Sequence, residues 1–132
     1  MIFVDTSAII SLGVVTDKFH KRAIEWKSTH RNVDLITSNL VVIESLGWLR
    51  YKIGKKLAVD TGQNLLSGRG IVIERVTAYD ELQAWLLFQK LDGRGISMID
   101  TTSFVVMRRL KIKEVFAFDT DFKTQGFTIY PD

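Results

Sequence analysis

Four carboxylate side chains follow apolar segments at points where a predicted strand gives way to a loop or a helix. They are Asp5 in MIFVDTSAI, Glu44 in SNLVVIESL, Asp100 in GISMIDTTSF and Asp119 in VFAFDTDF. In a chain that alternates strands with helices, such acids lie at the edge where open α/β sheets place their ligand sites. Four converging carboxylates would form an oxygen-only cage suited to Mg²⁺ or Mn²⁺. The pattern therefore points toward phosphodiester chemistry.

A cluster of this kind needs a cation, because neighbouring carboxylates repel one another and raise one another's pKa. A bound divalent ion would offset that repulsion, lower the pKa of a coordinated water and counter the charge that develops on the leaving oxygen. A carboxylate that is not fully used as a ligand could accept the proton of the water. One or two ions per site are compatible with this chemistry.

Each acid also has a purely structural explanation. Asp5 could cap a short helix that begins at the following residues, since Asp is a preferred N-cap. Glu44 lies in an amphipathic segment and could simply face solvent, as most glutamates do. Asp119 and Asp121 could form a turn through bonds to their own downstream backbone. None of these residues is compelling taken alone.

The segment around Asp100 contains the clearest helix start. Ser97 and Asp100 have the spacing of a capping box, in which each side chain accepts a hydrogen bond from the other residue's backbone N–H. Asp100 could therefore serve only the helix terminus, where its charge would contribute about 0.3–1 kcal/mol. However, the helix that follows is apolar nearly all round, which predicts a central position. An acid that enters a buried helix needs a partner.

The order of predicted elements indicates an α/β fold: a single-domain three-layer sandwich with a mostly parallel central sheet and helices on both faces. Short β-branched or aromatic runs predict strands at Ile2–Val4, Asp34–Ile36, Ile71–Val76, Val115–Phe118 and Phe127–Tyr130. Apolar spacings of three and four predict helices at Lys18–Ser28, Leu40–Ile53, Lys55–Leu66, Tyr79–Leu91 and Ile99–Leu110. Gly47 lies inside the second of these helices, where glycine costs roughly 0.8–1.0 kcal/mol relative to alanine.

Length and composition set the limits of the remaining possibilities. The 132 residues, 46% of them hydrophobic, fit one domain spanning residues 1–132. The chain has no cysteine, which excludes disulfides and thiol nucleophiles and suits a reducing compartment. No apolar run approaches the length of a membrane span. We therefore expect a cytoplasmic protein with no membrane partner; the net charge of +3 permits a nucleic-acid partner without indicating one.

In combination, these motifs resemble the PIN-domain family, in particular its VapC-type toxin nucleases. The resemblance covers essentially the whole chain. It includes an opening hydrophobic-Asp-Thr-Ser-Ala element, a Ser-led helix bearing Glu, a Ser-x-x-Asp helix start and a late Phe-Asp-x-Asp-Phe turn. These motifs occupy Val4–Ile9, Ser38–Glu44, Ser97–Asp100 and Phe118–Phe122.

The resemblance implies specific roles for these residues. Asp5, Glu44, Asp100 and Asp119 match the family's catalytic acidic quartet, and the metal would be held by Asp5, Asp100, Asp119 and Asp121. Thr6 or Ser7 and Ser97 match supporting positions. The implied activity is a Mg²⁺- or Mn²⁺-dependent endoribonuclease acting on single-stranded or looped RNA, with an antitoxin partner and a homodimeric state. The alternative is a PIN-fold RNA-binding or scaffold subunit of an RNA-processing assembly.

Basic residues offer a track for a phosphate backbone. Arg94 is the strongest single candidate for substrate binding, because it lies on a glycine-flanked loop shortly before Asp100. Further cations cluster after the two acid-bearing helices, at Arg50, Lys52, Lys55, Lys56, Arg108, Arg109, Lys111 and Lys113. The three tryptophans fall within apolar helical stretches, which predicts core or oligomer contacts rather than base stacking. These are Trp26, Trp48 and Trp85.

Other chemistries have little support in the sequence. His20 and His30 show no ligand or triad pattern and are expected to be ordinary surface histidines. The chain contains no phosphate-binding Gly-x-x-x-x-Gly-Lys-Ser/Thr motif. The Asp119-Thr-Asp121 sequence resembles the nucleophile motif of haloacid-dehalogenase phosphatases, but that motif belongs near the start of its fold. Here it lies close to the end.

Overall fold

A five-stranded parallel sheet forms the centre of the protein, which is described by a computed structural model covering residues 1–132. The strands are β1 (Ile2–Val4), β2 (Leu35–Ser38), β3 (Val72–Glu74), β4 (Glu114–Phe116) and β5 (Thr128–Tyr130). Their spatial order is β3-β2-β1-β4-β5, and every neighbouring pair is parallel. The predicted mostly parallel sheet is therefore confirmed, and it has no antiparallel strand.

Seven helices connect and flank the strands. They are α1 (Thr6–Gly13), α2 (His20–Thr29), α3 (Asn39–Lys52), α4 (Lys55–Leu66), α5 (Ala78–Lys90), α6 (Met98–Arg109) and α7 (Asp121–Thr124). The bounds predicted for α4 are confirmed, and those for α2, α3, α5 and α6 differ by one or two residues. Two helices, α1 and α7, were absent from the predicted elements. Both are short, and apolar periodicity over so few residues is too weak to identify them.

Chain order along the sheet reverses at β1. The connections from β1 to β2 and from β2 to β3 proceed in one direction, whereas the connection from β3 to β4 returns past β1. Because such parallel crossovers are almost always right-handed, α1–α4 and α5–α6 lie on opposite faces and complete three layers. The carboxyl ends of β1 and β4 thus flank a topological switch point, where ligands bind in open α/β sheets.

The hydrophobic core lies on both faces of β1 and β4. Its largest fully buried rings are Phe3, Phe104, Phe116 and Phe122. The predicted central position of α6 is confirmed, because most of its length is buried. Trp26 belongs to this core, as predicted, whereas Trp48 and Trp85 are 37% and 49% exposed and are not core residues. No helix combines the length and the apolar character that crossing a membrane requires.

Three predicted strands extend further along the chain than the observed ones. The run from Ile71 to Val76 pairs only over Val72–Glu74, after which the N–H of Val76 donates to Asn39 Oδ1 rather than to a neighbouring strand. β4 ends at Phe116, and the N–H of Phe118 donates to the Ser7 hydroxyl. Side chains from other elements capture these backbone donors, which propensity within the strand cannot reveal.

Candidate metal centre

Asp5 links β1 to α1 at the switch point. Its backbone is extended, and its carboxylate caps α1 by accepting from the Ser7 N–H at 3.2 Å. The Ser7 hydroxyl donates to the same oxygen, Oδ2, at 2.6 Å. The side chain is only 4% exposed. The capping role considered from the sequence is therefore real, and it places a buried carboxylate at the edge of the sheet.

Asp100 enters the same edge from the first turn of α6. The predicted capping box is present: the Ser97 N–H donates to Asp100 Oδ2 at 2.9 Å, and the Asp100 N–H donates to Ser97 Oγ at 3.0 Å. The other oxygen, Oδ1, accepts no hydrogen bond from the protein. The capping box consequently fixes the rotamer of Asp100 while leaving one oxygen available to a ligand.

Asp119, in the segment after β4, and Asp121, the first residue of α7, complete the cluster. The N–H of Asp121 donates to Asp119 Oδ1 at 2.9 Å, which is the turn geometry that the sequence allowed. Ligand oxygens of Asp100, Asp119 and Asp121 all lie within 4.8 Å of one another. Three carboxylates from two distant parts of the chain therefore converge on one point.

Asp5 and Glu44 border this group of three. Burial raises the pKa of Asp5 to about 7; the Ser7 hydrogen bonds oppose the shift, and the charges of Asp100 and Asp119 add to it. Burial likewise raises the pKa of Asp100 to about 6, with contributions from the charges of Asp119 and Glu44. The pKa of Asp121 is raised by burial and by Asp119. All five carboxylates thus belong to one electrostatic neighbourhood.

The donor set suits a hard divalent cation. Carboxylate oxygens are the preferred ligands of Mg²⁺ and Mn²⁺, and no nitrogen or sulfur donor accompanies them. The hydroxyl of Thr6, directly after Asp5, is buried without any hydrogen-bond partner. A buried polar atom of this kind normally bonds to water or an ion. The residues present therefore fit a divalent metal at this edge of the sheet.

Supporting residues differ in how closely they attach to the acids. Ser7 contacts Asp5 and also accepts from the Phe118 N–H at 2.9 Å, so it ties α1 to the segment that carries Asp119. Ser97 contacts Asp100 through the capping box. Thr6 forms no side-chain hydrogen bond to either acid. The sequence predicted either Thr6 or Ser7 as the residue that supports Asp5. In the structure it is Ser7 that is hydrogen-bonded to the Asp5 carboxylate.

Of the basic residues predicted to bind RNA, some are free in the structure and others are bonded to protein groups. Arg94 is exposed on the loop between α5 and α6 and forms no salt bridge. Arg109 instead binds the buried Asp80 carboxylate through Nε and Nη2, both at 2.9 Å, and does not belong to an open phosphate track. Arg108 donates to the Gln125 carbonyl at 3.1 Å. His20 and His30 are half-buried and bond to backbone carbonyls, outside the acidic cluster.

Comparison with known proteins agrees with this geometry. The chain is 41% identical, over 128 residues, to the 23S rRNA-specific endonuclease VapC20 of Mycobacterium tuberculosis, which covers 96% of this chain and 95% of that protein. The crystal structure of VapC20, described as a sarcin-ricin loop cleaving toxin, superposes with a TM-score of 0.90 and 35% identity, covering 97% of both chains.

A second solved structure has a similar fold at much lower sequence identity. FitAcB from Neisseria gonorrhoeae superposes with a TM-score of 0.67 at 17% identity, covering 98% of this chain and 96% of that chain. At that identity the likeness concerns the fold alone. The PIN domain family model matches residues 2–127, which span all four acid-bearing motifs. The chain therefore belongs to the PIN-domain family, as the resemblance of its motifs implied.

Proposed function

We propose that residues 1–132 form a single nuclease domain that hydrolyses phosphodiester bonds within single-stranded or looped RNA, with Mg²⁺ or Mn²⁺ as cofactor. The observation that carries the proposal is the convergence of Asp100, Asp119 and Asp121 oxygens within 4.8 Å beside a buried Asp5. So many carboxylates at a topological switch point are costly for folding unless a cation uses them. Membership of the PIN-domain family supports the same reaction.

In this proposal four acids bind the metal and a fifth accepts a proton. Asp5, Asp100, Asp119 and Asp121 hold one or two divalent ions, and a bound ion would activate water and offset charge on the leaving oxygen. Glu44 is half-buried and lies close enough to raise the pKa of Asp100. It is our candidate for the carboxylate that accepts a proton from the attacking water. Ser7 and Ser97 keep Asp5 and Asp100 in their orientations.

The substrate proposal rests on the VapC20 comparison. Identity of 41% over nearly the full length supports the same substrate class, a loop of 23S ribosomal RNA, for this chain. Ribosomal RNA as substrate would place the protein in the cytoplasm. Arg94 is proposed as a phosphate contact, because it is exposed and free of ion pairs close to the helix that carries Asp100. Such contacts make binding salt-dependent.

Two protein partners belong to the proposal. Because the similar VapC20 is described as a toxin, we propose a cognate antitoxin that blocks the site of this chain until it is removed. We also propose a homodimer. Its support is α5, which exposes several large apolar side chains to solvent: Tyr79, Leu82, Trp85, Leu86 and Phe88. A contiguous apolar face of this kind commonly marks a protein interface.

The decisive experiment measures cleavage of an RNA hairpin carrying the sarcin-ricin loop sequence. We expect site-specific cleavage with Mn²⁺ or Mg²⁺ and none with EDTA. Asp100→Asn should abolish cleavage while leaving the circular dichroism spectrum unchanged, because the amide keeps the shape but loses the charge. The matched control is Asp60→Asn, which alters an exposed acid of α4. Full activity of Asp100→Asn, or cleavage that persists in EDTA, would refute the metal mechanism; tight RNA binding without cleavage would favour the scaffold alternative.

A further inference from the structure

Two phenylalanine rings stack face to face beside the metal centre. The ring centroids of Phe19 and Phe118 are 4.6 Å apart, and their planes differ by 7°. Phe118 directly precedes Asp119, whereas Phe19 belongs to the turn that leads into α2. Both side chains are only half-buried. The stack therefore projects from the core toward solvent at the edge of the sheet that carries the acids.

Hydrogen bonds connect this stack to the acidic cluster. The Ser7 hydroxyl accepts from the Phe118 N–H at 2.9 Å and donates to the Asp5 carboxylate at 2.6 Å. One hydroxyl thus lies between the backbone of the aromatic stack and a proposed metal ligand. The position of the Phe118 ring is consequently coupled to the position of the reaction site.

Hydrogen bonds within the preceding turn fix the backbone of Phe19. Its N–H donates to Asp17 Oδ2 at 2.9 Å, and the buried Ser11 hydroxyl donates to the same oxygen at 2.9 Å. Phe118 packs against the main hydrophobic core, but Phe19 does not belong to that core. A ring that is fixed in place without filling the interior has a surface available for another molecule.

Cations cover the outer faces of the stack. Lys18 Nζ lies 4.9 Å from the Phe19 ring centroid, and Arg22 Cζ lies 5.6 Å from the Phe118 ring centroid. Rings stacked 4.6 Å apart leave no room for an ammonium group between them, so Lys18 covers the outer face of Phe19. Both cationic residues are exposed. Positive charge and an aromatic face together form the combination that single-stranded RNA recognises.

We propose that the outer face of Phe19 is a stacking platform for an unpaired nucleobase of the RNA substrate, and that Lys18 moves from the ring to a neighbouring phosphate. This inference rests on the proposed nuclease function. Bases in RNA loops are unstacked and bind readily to aromatic rings. A stacked base contributes more than an exposed cation–π contact, so it displaces the lysine. The platform would fix the RNA strand in register with the acids.

The test uses sarcin-ricin loop hairpins that carry 2-aminopurine at single loop positions, with binding measured in the Asp100→Asn background so that the RNA stays intact. Stacking on Phe19 should quench the fluorescence at one position. Phe19→Leu should remove that quenching and weaken binding about tenfold, because it keeps the apolar volume but loses the ring face. Phe19→Tyr, which keeps an aromatic ring, should retain the fluorescence quenching and the RNA affinity. Tyr51→Leu is the matched control, since Tyr51 is an exposed ring under Lys52 on α3.

An abasic scan keeps the test informative if Phe19→Leu folds poorly. In the otherwise unaltered chain, removal of the stacked base should weaken binding about tenfold at one loop position and not at the others. Phe19→Leu with unchanged quenching and affinity, or an abasic scan without a sensitive position, would overturn the platform. Either result, combined with normal cleavage by the wild-type chain, leaves the proposed nuclease function in place. Absence of wild-type cleavage would instead contradict the function itself.

Discussion

The surroundings of the Asp5 side chain act on its pKa in opposite directions. Its two hydrogen bonds from Ser7 favour the ionised carboxylate, whereas burial and the nearby acids favour the protonated form. Burial is the larger effect, so the pKa of Asp5 rises to about 7. Without metal, this residue therefore holds a proton over much of the range in which a free aspartate would be ionised. A cation at the site would reverse that balance.

Stability of the metal-free protein should consequently decrease as the pH rises. The pKa values of Asp5 and Asp100 are about 7 and about 6 in the folded state, against 3.8 for the ordinary side chain. Between pH 4 and 7 the folded state binds more protons than the unfolded state, so deprotonation favours unfolding. We expect a lower melting temperature at pH 8 than at pH 5 in EDTA.

Asp5→Asn is the variant that tests this interpretation. The amide can still cap α1 but cannot ionise, so the fall in melting temperature between pH 5 and pH 8 should become smaller. Asp80 does not interfere, because its pKa is lowered and its contribution is lost only below pH 4. A pH dependence identical to that of the wild type would show that Asp5 does not contribute to the titration.

Asp119 allows the ligand role to be separated from the turn role. Asp119→Asn should leave the metal-free melting temperature unchanged or raise it, since one charge leaves a repelling cluster while the turn bond persists. The stabilisation by millimolar Mn²⁺ should be lost, because mass action links it to ion affinity. Differential scanning fluorimetry with and without Mn²⁺ measures both effects. A variant that gains as much as the wild type would exclude Asp119 as a ligand.

At the scale of elements, α5 and α6 are joined by an ion pair whose carboxylate is buried and whose guanidinium is partly exposed. Arg109, at the end of α6, donates two hydrogen bonds of 2.9 Å to Asp80, which forms a capping box with Thr77 at the start of α5. Asp80 is 1% exposed, and hydrogen bonds from Arg109 and Thr77 lower its pKa even though burial alone would raise it. This pair fixes the antiparallel arrangement of the helix that carries Asp100 and its neighbour.

Arg109→Ala should destabilise the fold by about 2–3 kcal/mol, because it leaves a buried carboxylate without its counter-ion. The figure lies below that for a fully buried pair, since the Arg109 side chain is 34% exposed. The control is Lys56→Ala, which removes an exposed i,i+4 pair with Asp60 and should cost no more than about 0.5 kcal/mol. Urea denaturation compares the two. Equal losses would show that the buried pair is not a structural link.

Gly47 lies within α3, which continues through it from Asn39 to Lys52. A Cβ at this position would have no neighbour within 4 Å. Gly47→Ala should therefore stabilise the protein by about 0.8–1.0 kcal/mol through helix propensity alone. Gly62→Ala in α4 should stabilise the protein less than Gly47→Ala, because its Cβ would lie 3.3 Å from Leu46 Cδ1 and Leu46 would have to move. Loss of stability in Gly47→Ala, measured by urea denaturation, would indicate an unrecognised constraint on α3.

At the scale of the whole molecule, the exposed apolar face of α5 requires an explanation. Trp85 and Leu82 are 49% and 53% exposed on consecutive turns. If this face joins two copies of the chain, Trp85→Glu should convert a dimer to a monomer in sedimentation velocity experiments, because it buries a charge at the interface. Tyr51→Glu, at a site that is 84% exposed on α3, should leave the dimer intact. A monomeric wild-type chain would contradict the proposed homodimer.

Local spacing in the sequence was sufficient to identify the fold class and the candidate acids. Alternating strands and helices predicted the parallel sheet, and the Ser97–Asp100 spacing predicted the capping box that the structure contains. The periodicity within each strand or helix and the capping box involve residues a few positions apart, whose identity largely determines them. The resemblance to PIN domains rests on the same short motifs.

Which of these residues come into contact follows from the path of the chain through the fold. It brings Asp100 together with Asp119 and Asp121 and leaves Asp5 and Glu44 at the border. It removes Arg109 from the predicted phosphate track by pairing it with Asp80, 29 positions away. The bond between Ser7 and Phe118 joins residues 111 positions apart. Such contacts depend on the path of the crossovers and on packing between layers, and local residue patterns do not encode either one directly.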